Sequence, residues 1–290
     1  MTEPQTHAVL GLRSPLTPEE TARRARRFGA FYYAEHWLRR MRGYGWTVLV
    51  TAIGTPLVYL FGMGVGLASL VDTGTNAAFD AGDGSSVSYL LFVGPALLAT
   101  AAIMVSSEEN TYTVMSGFKW RRTYYGPNAS PLSSAQLVDG HVLGLGTRLL
   151  ITCGAYFGFL LLFGAVGNPA TAWLMVLTAI LGGLAFGLPL MAYSASITED
   201  RGQFAMVQRF IVMPLFLFSG TFFPLDTLPL VIRWIGWISP LWHASELGRM
   251  VSYGLAEPVF LTVVHVAYLL LLAVGGWLLT RRNFTRRLGK

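Results

Sequence analysis

Residues 214–249 read PLFLFSGTFFPLDTLPLVIRWIGWISPLWHASELGR, and this stretch decides the fold. A long apolar run enters it and breaks at Gly220 and Pro224. A second apolar run, Leu230 to Ile238, carries Arg233, Trp234 and Trp237 and stops at Pro240. A membrane-crossing helix needs about 20 apolar residues. The second run is too short to cross and too apolar to sit in water. The reading is a re-entrant hairpin over 224–257, with Trp234, Trp237 and Trp242 at headgroup depth. Phe222, Phe223, Trp234 and Trp237 are expected to form an apolar lid at its outer end. His243, Glu246 and Arg249 follow at spacings that place them on one helix face, where an ion pair would fix the base of the hairpin. Two possible ligands are too few for a metal site.

Working outward, the chain has 290 residues, of which 53% are hydrophobic and only 12% charged. Soluble domains carry about 25% charged residues. Apolar runs lie at about Trp46–Val71, Val87–Val105, Val142–Val166, Ala170–Ser194, Phe204–Phe223 and Val259–Thr280. They predict an all-α polytopic membrane protein with six transmembrane helices over 46–280. A tail with an amphipathic helix (1–45) precedes it and a short basic tail (281–290) follows. In that helix Thr17, Pro18 and Glu20 form a start signal. Ala25, Phe28, Phe31 and Tyr32 lie opposite Arg23, Arg26 and Arg27, so the helix is expected to lie on membrane lipid. No secretory signal precedes it, which leaves the first span as the insertion signal. With six spans, 19 of the 21 Lys and Arg fall on one side. The positive-inside rule then places both termini in the cytoplasm of a plasma-membrane (cell inner membrane) protein. The net charge of +6 belongs to that face and gives no reason to invoke nucleic acid. Arg148, two turns inside the third run, is expected to snorkel inward. The single cysteine, Cys153, forms no internal disulfide.

Between the second and third runs lies a polar insert, 106–140, with a coupling segment at its centre. Glu108 and Glu109 leave the membrane, and Phe118 and Trp120 alternate with Lys119, Arg121 and Arg122. Aromatic anchors among orienting charges suit a protein partner. Glu108 and Glu109 are expected to pair with basic residues of the N-terminal helix. The chain has no GxxxxGK[ST] phosphate loop, and no acid, base or metal set stands out, so no catalytic residue and no cofactor is assigned to it. Gly62 and Gly66 in the first run, Gly154 and Gly158 in the third, and Gly183 and Gly187 in the fourth are spaced for close helix packing.

The string SGTFFPLDTLP, followed by Pro240, His243, Glu246 and Arg249, resembles the closing signature of permease subunits of type-2 ABC exporters. The branch it resembles contains the daunorubicin-resistance and nodulation-protein-J permeases. The segment SPLSSAQLVDG resembles that family's return into the third span. The resemblance implies a dimer of six-helix permeases, with a second copy or a homologous permease as partner, packed through the first and fifth spans and so through Gly62 and Gly66. It also implies a separate ABC ATPase subunit, which holds the ATP and Mg and docks on the loop between the second and third spans. Glu108, Glu109, Phe118, Trp120 and Arg121 are the candidate coupling residues, and Gly220, Phe222, Phe223, Pro224, His243, Glu246 and Arg249 the external gate. The implied cargo is lipid-linked, glycan-linked or amphipathic, drugs included. The alternatives are a secondary transporter, which would show inverted repeats and mid-membrane charges, and an integral membrane enzyme.

Overall fold

The structure, a computed structural model, describes residues 17–67, 79–82 and 84–289. Residues 1–16 of the expected tail, 68–71 at the end of the first span, Asp72 and Asp83 of the following acidic loop, and Lys290 lie outside the described residues. Helix α1 (Pro18–Arg42) starts where the capping residues place it. The Glu20 N–H donates to Thr17 Oγ1 (3.2 Å) and the Thr17 N–H donates to the Glu20 carboxylate (3.0 Å). The buried side of α1 is Gly29, Tyr33, Ala34 and Trp37. It rests on α6 (Ser134–Leu162), where Gly140 and Gly144 leave room for Tyr33 and Trp37. Phe28, Phe31 and Tyr32 stay exposed. One face of α1 therefore packs on the chain itself, and the neighbouring apolar face remains free.

Helix α2 (Gly45–Tyr59) continues as a wider π-helical turn through its glycine-rich end, Leu60–Leu67. A two-residue antiparallel ribbon follows, β1 (Phe79–Asp80) with β2 (Ser86–Val87), Phe79 opposite Val87. Next come α3 (Tyr89–Asn110), α4 (Tyr112–Phe118), α5 (Tyr125–Ala129), α6, α7 (Pro169–Ala172) and α8 (Leu174–Ser196). The fifth pass is α9 (Gln203–Val207), a π-helical turn (Gln208–Val212) and α10 (Met213–Phe218). Two further helices, α11 (Leu230–Trp237) and α12 (Pro240–Tyr253), precede the last, α13 (Val259–Leu288).

Among the described residues five stretches are long and apolar enough to cross a membrane: Gly45–Gly62, Tyr89–Phe118, Ser134–Leu162, Pro169–Ser196 and Val259–Leu288. The expected sixth, Phe204–Phe223, is shorter than its apolar run. It occupies Gln203–Phe218, about 24 Å at 1.5 Å per residue, against a hydrocarbon core of roughly 30 Å. It ends early because Ser219 and Gly220 turn the chain, Gly220 with φ +71°. Two other boundaries differ from the sequence reading. The 106–140 insert is mostly helix: α3 runs to Asn110, and α6 begins at Ser134, where Ser133 and Gln136 form a second capping box. The expected tail 281–290 is helical to Leu288, because its basic residues find acceptors on neighbouring elements. Arg281 pairs with Asp139 (3.0 Å), and Arg287 donates to the carbonyls of Ala195 and Ile197 (2.8 Å each).

Close contacts fix the helix directions. Gly94 on α3 lies against Leu160 near the end of α6, while Glu109 meets Arg148 nearer its start, so the two helices are antiparallel. Gly183 and Gly187 face Ala102 and Ser106 of α3, which sets α8 parallel to α3. Gly276 of α13 meets Leu188 and Pro189, and further along Asn283 and Arg287 donate to the carbonyls of Ala192 and Ala195, so α13 is parallel to α8. Small residues let these backbones approach where lipid offers no hydrophobic drive for helix association. As a result α1, the α4–α5 segment and the end of α13 gather at one pole, where the Asn128 amide donates to the Leu288 carbonyl (3.1 Å). The ribbon, the start of α7 and the end of α12 gather at the other, where the Asn168 N–H donates to the Ser252 carbonyl (2.7 Å).

A side chain added at Gly276 would run into the α8 backbone. Gly276→Val is expected to lower the stability of the detergent-purified chain by about 3 kcal/mol, the upper end for overpacking. Gly154→Val, at a glycine with open space around it, should change it by less than about 0.5 kcal/mol. Thermal unfolding of both variants checks the pair.

Candidate functional site

At the pole that holds the ribbon, the short helices α11 and α12 stand where the hairpin is expected. Arg249, 1% exposed, holds the arrangement together. Its Nη2 donates to the Gly220 carbonyl (2.6 Å), its Nε to the Phe92 carbonyl (3.2 Å) and its Nη1 to Glu246 (2.8 Å). The guanidinium also sits 3.8 Å from the Phe92 ring centre. The chain break at Gly220 frees a backbone carbonyl in apolar surroundings, and Arg249 satisfies it. Ser219 Oγ donates to Ser239 Oγ (2.6 Å), which in turn caps α12 by accepting from the Leu241 N–H (3.2 Å). The base of the hairpin is therefore closed by side chains that all bond to backbone or to one another.

His243 does not join that ion pair, contrary to the single-face expectation. Its Nε2 faces the Trp237 carbonyl (3.0 Å), its Nδ1 lies 2.6 Å from Nδ1 of His265, and its ring stacks on Tyr268 at 4.3 Å. Nε2 of His265 meets Glu257 (3.2 Å). His265 and Glu257 are absent from the sequence reading. A histidine inside the last apolar run was the available signal, since an ionisable residue in a span marks a functional position by default. The expected aromatic lid divides. Phe222 turns inward, 5.0 Å from Phe216 and edge-on, whereas Trp234 and Trp237 stay about half exposed. Phe223 and Pro224 are partly buried in the turn.

At the opposite pole the charges are also internal. Arg148 is 8% exposed rather than snorkelled. It pairs with the buried Glu109 and reaches Glu108 at 3.5 Å. Arg148, not the N-terminal helix, is thus the partner of both carboxylates. Beside them a cavity of about 120 Å³ opens between α2, α3, α6 and α10.

Phe118 cannot serve as a free anchor. It is 3% exposed, its ring 4.7 Å from those of both Tyr124 and Phe284, with Arg287 lying over it at 4.2 Å. Burial pushes the nearby Tyr33 hydroxyl up to about 12, so that hydroxyl stays protonated. Trp120, 53% exposed, and Arg121, also exposed, stand on the turn between α4 and α5. With Arg40, Tyr112, Ser116 and Thr123 they border a groove of about 380 Å³. Gly62 has no atom within 4 Å of an added side chain, and Gly66 meets only its own helix. Both glycines are exposed. Among the described residues no group of three His, Cys, Asp or Glu is arranged for a metal.

Membrane-length helices with charged pairs buried at both poles define an all-α polytopic membrane protein. The chain belongs to the ABC-2 type transporter family, whose model matches residues 33–253. It is similar to nodulation protein J of Rhizobium leguminosarum bv. trifolii, 28% identical over 267 residues that cover 90% of this chain and 95% of the relative. Nodulation protein J of Rhizobium meliloti (strain 1021) is 26% identical over 259 residues, 87% of this chain and 92% of the relative.

Removing one partner of a buried ion pair typically costs about 3–5 kcal/mol. Arg249→Met is expected to destabilise the purified chain by that amount, because it strands Glu246 and the Gly220 carbonyl together. Glu246→Gln, which still offers Arg249 an acceptor, should cost less than half as much. Denaturant titration of the two variants is the check, and negligible effects of both would show that the charge pair does not organise the hairpin.

Proposed function

We propose that this chain is the membrane-spanning permease subunit of an ATP-driven exporter in the plasma membrane, with both termini in the cytoplasm. A separate ABC ATPase binds the ATP and Mg, and this chain binds no cofactor of its own. Two permeases form the pathway, either two copies of this chain or one with a homologous permease, and the open glycines Gly62 and Gly66 suit a contact between them. The cargo is amphipathic, whether lipid-linked, glycan-linked or drug-like.

The exposed Trp120–Arg121 turn carries this reading. It is the mixed aromatic and cationic surface at the pole rich in Lys and Arg, and it is built into rigid elements. Gly117 lies directly against Tyr124, and the Tyr124 ring packs 4.9 Å from Phe284 of α13. A load applied to the turn passes into α3 and α6, and the pairs of Arg148 with Glu108 and Glu109 tie those two helices together. A secondary transporter would need no such docking surface, and family membership favours the ATP-driven reading.

The experiment is co-purification with candidate ATPases, followed by hydrolysis assays. Trp120→Ala with Arg121→Glu is expected to weaken the complex at least thirtyfold, about 2 kcal/mol for a lost aromatic anchor. Glu109→Gln should leave assembly intact and lower cargo-stimulated hydrolysis. Full assembly of the Trp120/Arg121 double variant would move the docking site to α1 or to the 198–203 turn.

A further inference from the structure

A groove between α8, the fifth pass and α13 has an apolar body and a cationic end. Phe186 and Tyr193 of α8 form its floor, and Met206 and Phe210 of the fifth pass and Leu272 of α13 stand in its walls. The space is about 750 Å³, within the ~300–1,000 Å³ of small-molecule sites. Met206 and Phe210 stay open to the surroundings, at 59% and 67% exposed. The fifth pass lines the groove from Gln203 to Leu215, about 18 Å at 1.5 Å per residue. One leaflet fills about half of a roughly 30 Å hydrocarbon core, so the groove matches the acyl region of one leaflet. Its end near the hairpin meets the α11–α12 link, where the Tyr268 hydroxyl donates to the Ile238 carbonyl (2.6 Å).

The other end is set by α13. Tyr268, Leu272, Leu279, Arg282 and Arg286 fall within one sector of about 80° at 3.6 residues per turn. The opposite side of the helix carries Trp277 and Arg281, both bonded to Asp139 of α6. The groove side of α13 therefore runs directly into two arginines. The Asn283 amide donates to the Ala192 carbonyl (2.8 Å), which sets Arg282 level with Tyr193. Arg286 stands one turn nearer the pole. Both arginines are exposed, and among the described residues neither has a hydrogen bond or ion pair. Their neighbours are engaged, Arg281 with Asp139 and Arg287 with the carbonyls of Ala195 and Ile197. On the 198–202 turn Glu199 is paired with Arg201 (2.8 Å), and Asp200 accepts from the Gly202 N–H (3.0 Å). Two unpaired guanidiniums against one carboxylate leave this end positive.

We propose that the groove holds a resident anionic phospholipid from the leaflet at this pole. An acyl chain lies along Phe186, Met206 and Phe210, and the phosphate takes charge-assisted bonds from Arg282 and Arg286. Free phosphate would use the arginines and leave the groove empty. A zwitterionic lipid would fill the groove but bring an ammonium towards the arginines. Neither cargo nor ATPase enters this inference, so it stands apart from the exporter reading.

The test is native mass spectrometry of the full chain, stripped of lipid in dodecyl maltoside and titrated with dioleoylphosphatidylglycerol or dioleoylphosphatidylcholine. One phosphatidylglycerol per chain is expected to bind saturably, about tenfold more tightly than phosphatidylcholine. Arg282→Gln with Arg286→Gln, at exposed positions, should abolish that preference and leave phosphatidylcholine binding unchanged. Met206→Trp, which crowds the exposed wall of the groove, should weaken both lipids about threefold. Excess inorganic phosphate should not displace the lipid. Equal affinity for the two lipids, an unchanged preference in the double glutamine variant, or no effect of Met206→Trp would each overturn the site. Displacement by inorganic phosphate would reduce it to a simple anion site and overturn the groove. Dimers that retain no lipid would show that a second copy of the chain fills the groove, and would overturn it as well.

Discussion

A backbone carbonyl with no partner in an apolar medium costs several kcal/mol. The chain creates that liability at Gly220 by ending a helix inside the bundle. Arg249 resolves it, and much of the outer half of the molecule follows from how. The guanidinium reaches backward from α12 to the turn at Gly220 and sideways to the backbone and ring of Phe92 on α3. Glu246, one turn before it, balances the charge. Such a buried pair adds little net stability over an apolar replacement. Its value lies in position, since it admits one placement of three elements and no sliding between them.

Helix α3 connects this outer clamp to the inner charges. Phe92 and Glu109 stand 17 residues apart on it, about 26 Å at helical rise. Its length is buried almost throughout, against α8 on a seam of glycines and alanines. One rigid rod thus touches Arg249 at one end and Arg148 at the other. The α4–α5 turn lies near the Arg148 end of this rod and the hairpin at the Arg249 end. The paired histidines of α12 and α13 add a second tie between the hairpin and the last helix.

The architecture was largely legible because membrane burial writes itself into composition. Apolar runs, the break at Gly220 and Pro224, and the Thr17–Glu20 capping box are local signals, and each appears where the residues place it. Apart from the Glu246–Arg249 pair, one turn apart, the polar partnerships were not legible, because they join residues distant in sequence. Arg148 was expected at the surface, since a span-end arginine ordinarily snorkels; instead Glu109, from another helix, holds it inside. Phe118 had the composition of an interface anchor, yet Phe284, far along the chain, covers it. His243 shares a spacing with Glu246 and Arg249, but helix rotation turns it to His265. The Gly183–Gly187 pair, weak as a motif, proved to be a packing seam within the chain.

The most direct test of this arrangement is sidedness. In a Cys153→Ala background, single cysteines would replace Asp226 in the hairpin turn and Trp120 in the inner turn, with labelling by a membrane-impermeant thiol reagent in right-side-out and inverted vesicles. Asp226→Cys is expected to react only from the outside and Trp120→Cys only from the cytoplasmic side. Labelling of both from the same side would mean that the chain does not cross between them as described, and the separation of an outer hairpin from an inner coupling surface would fall.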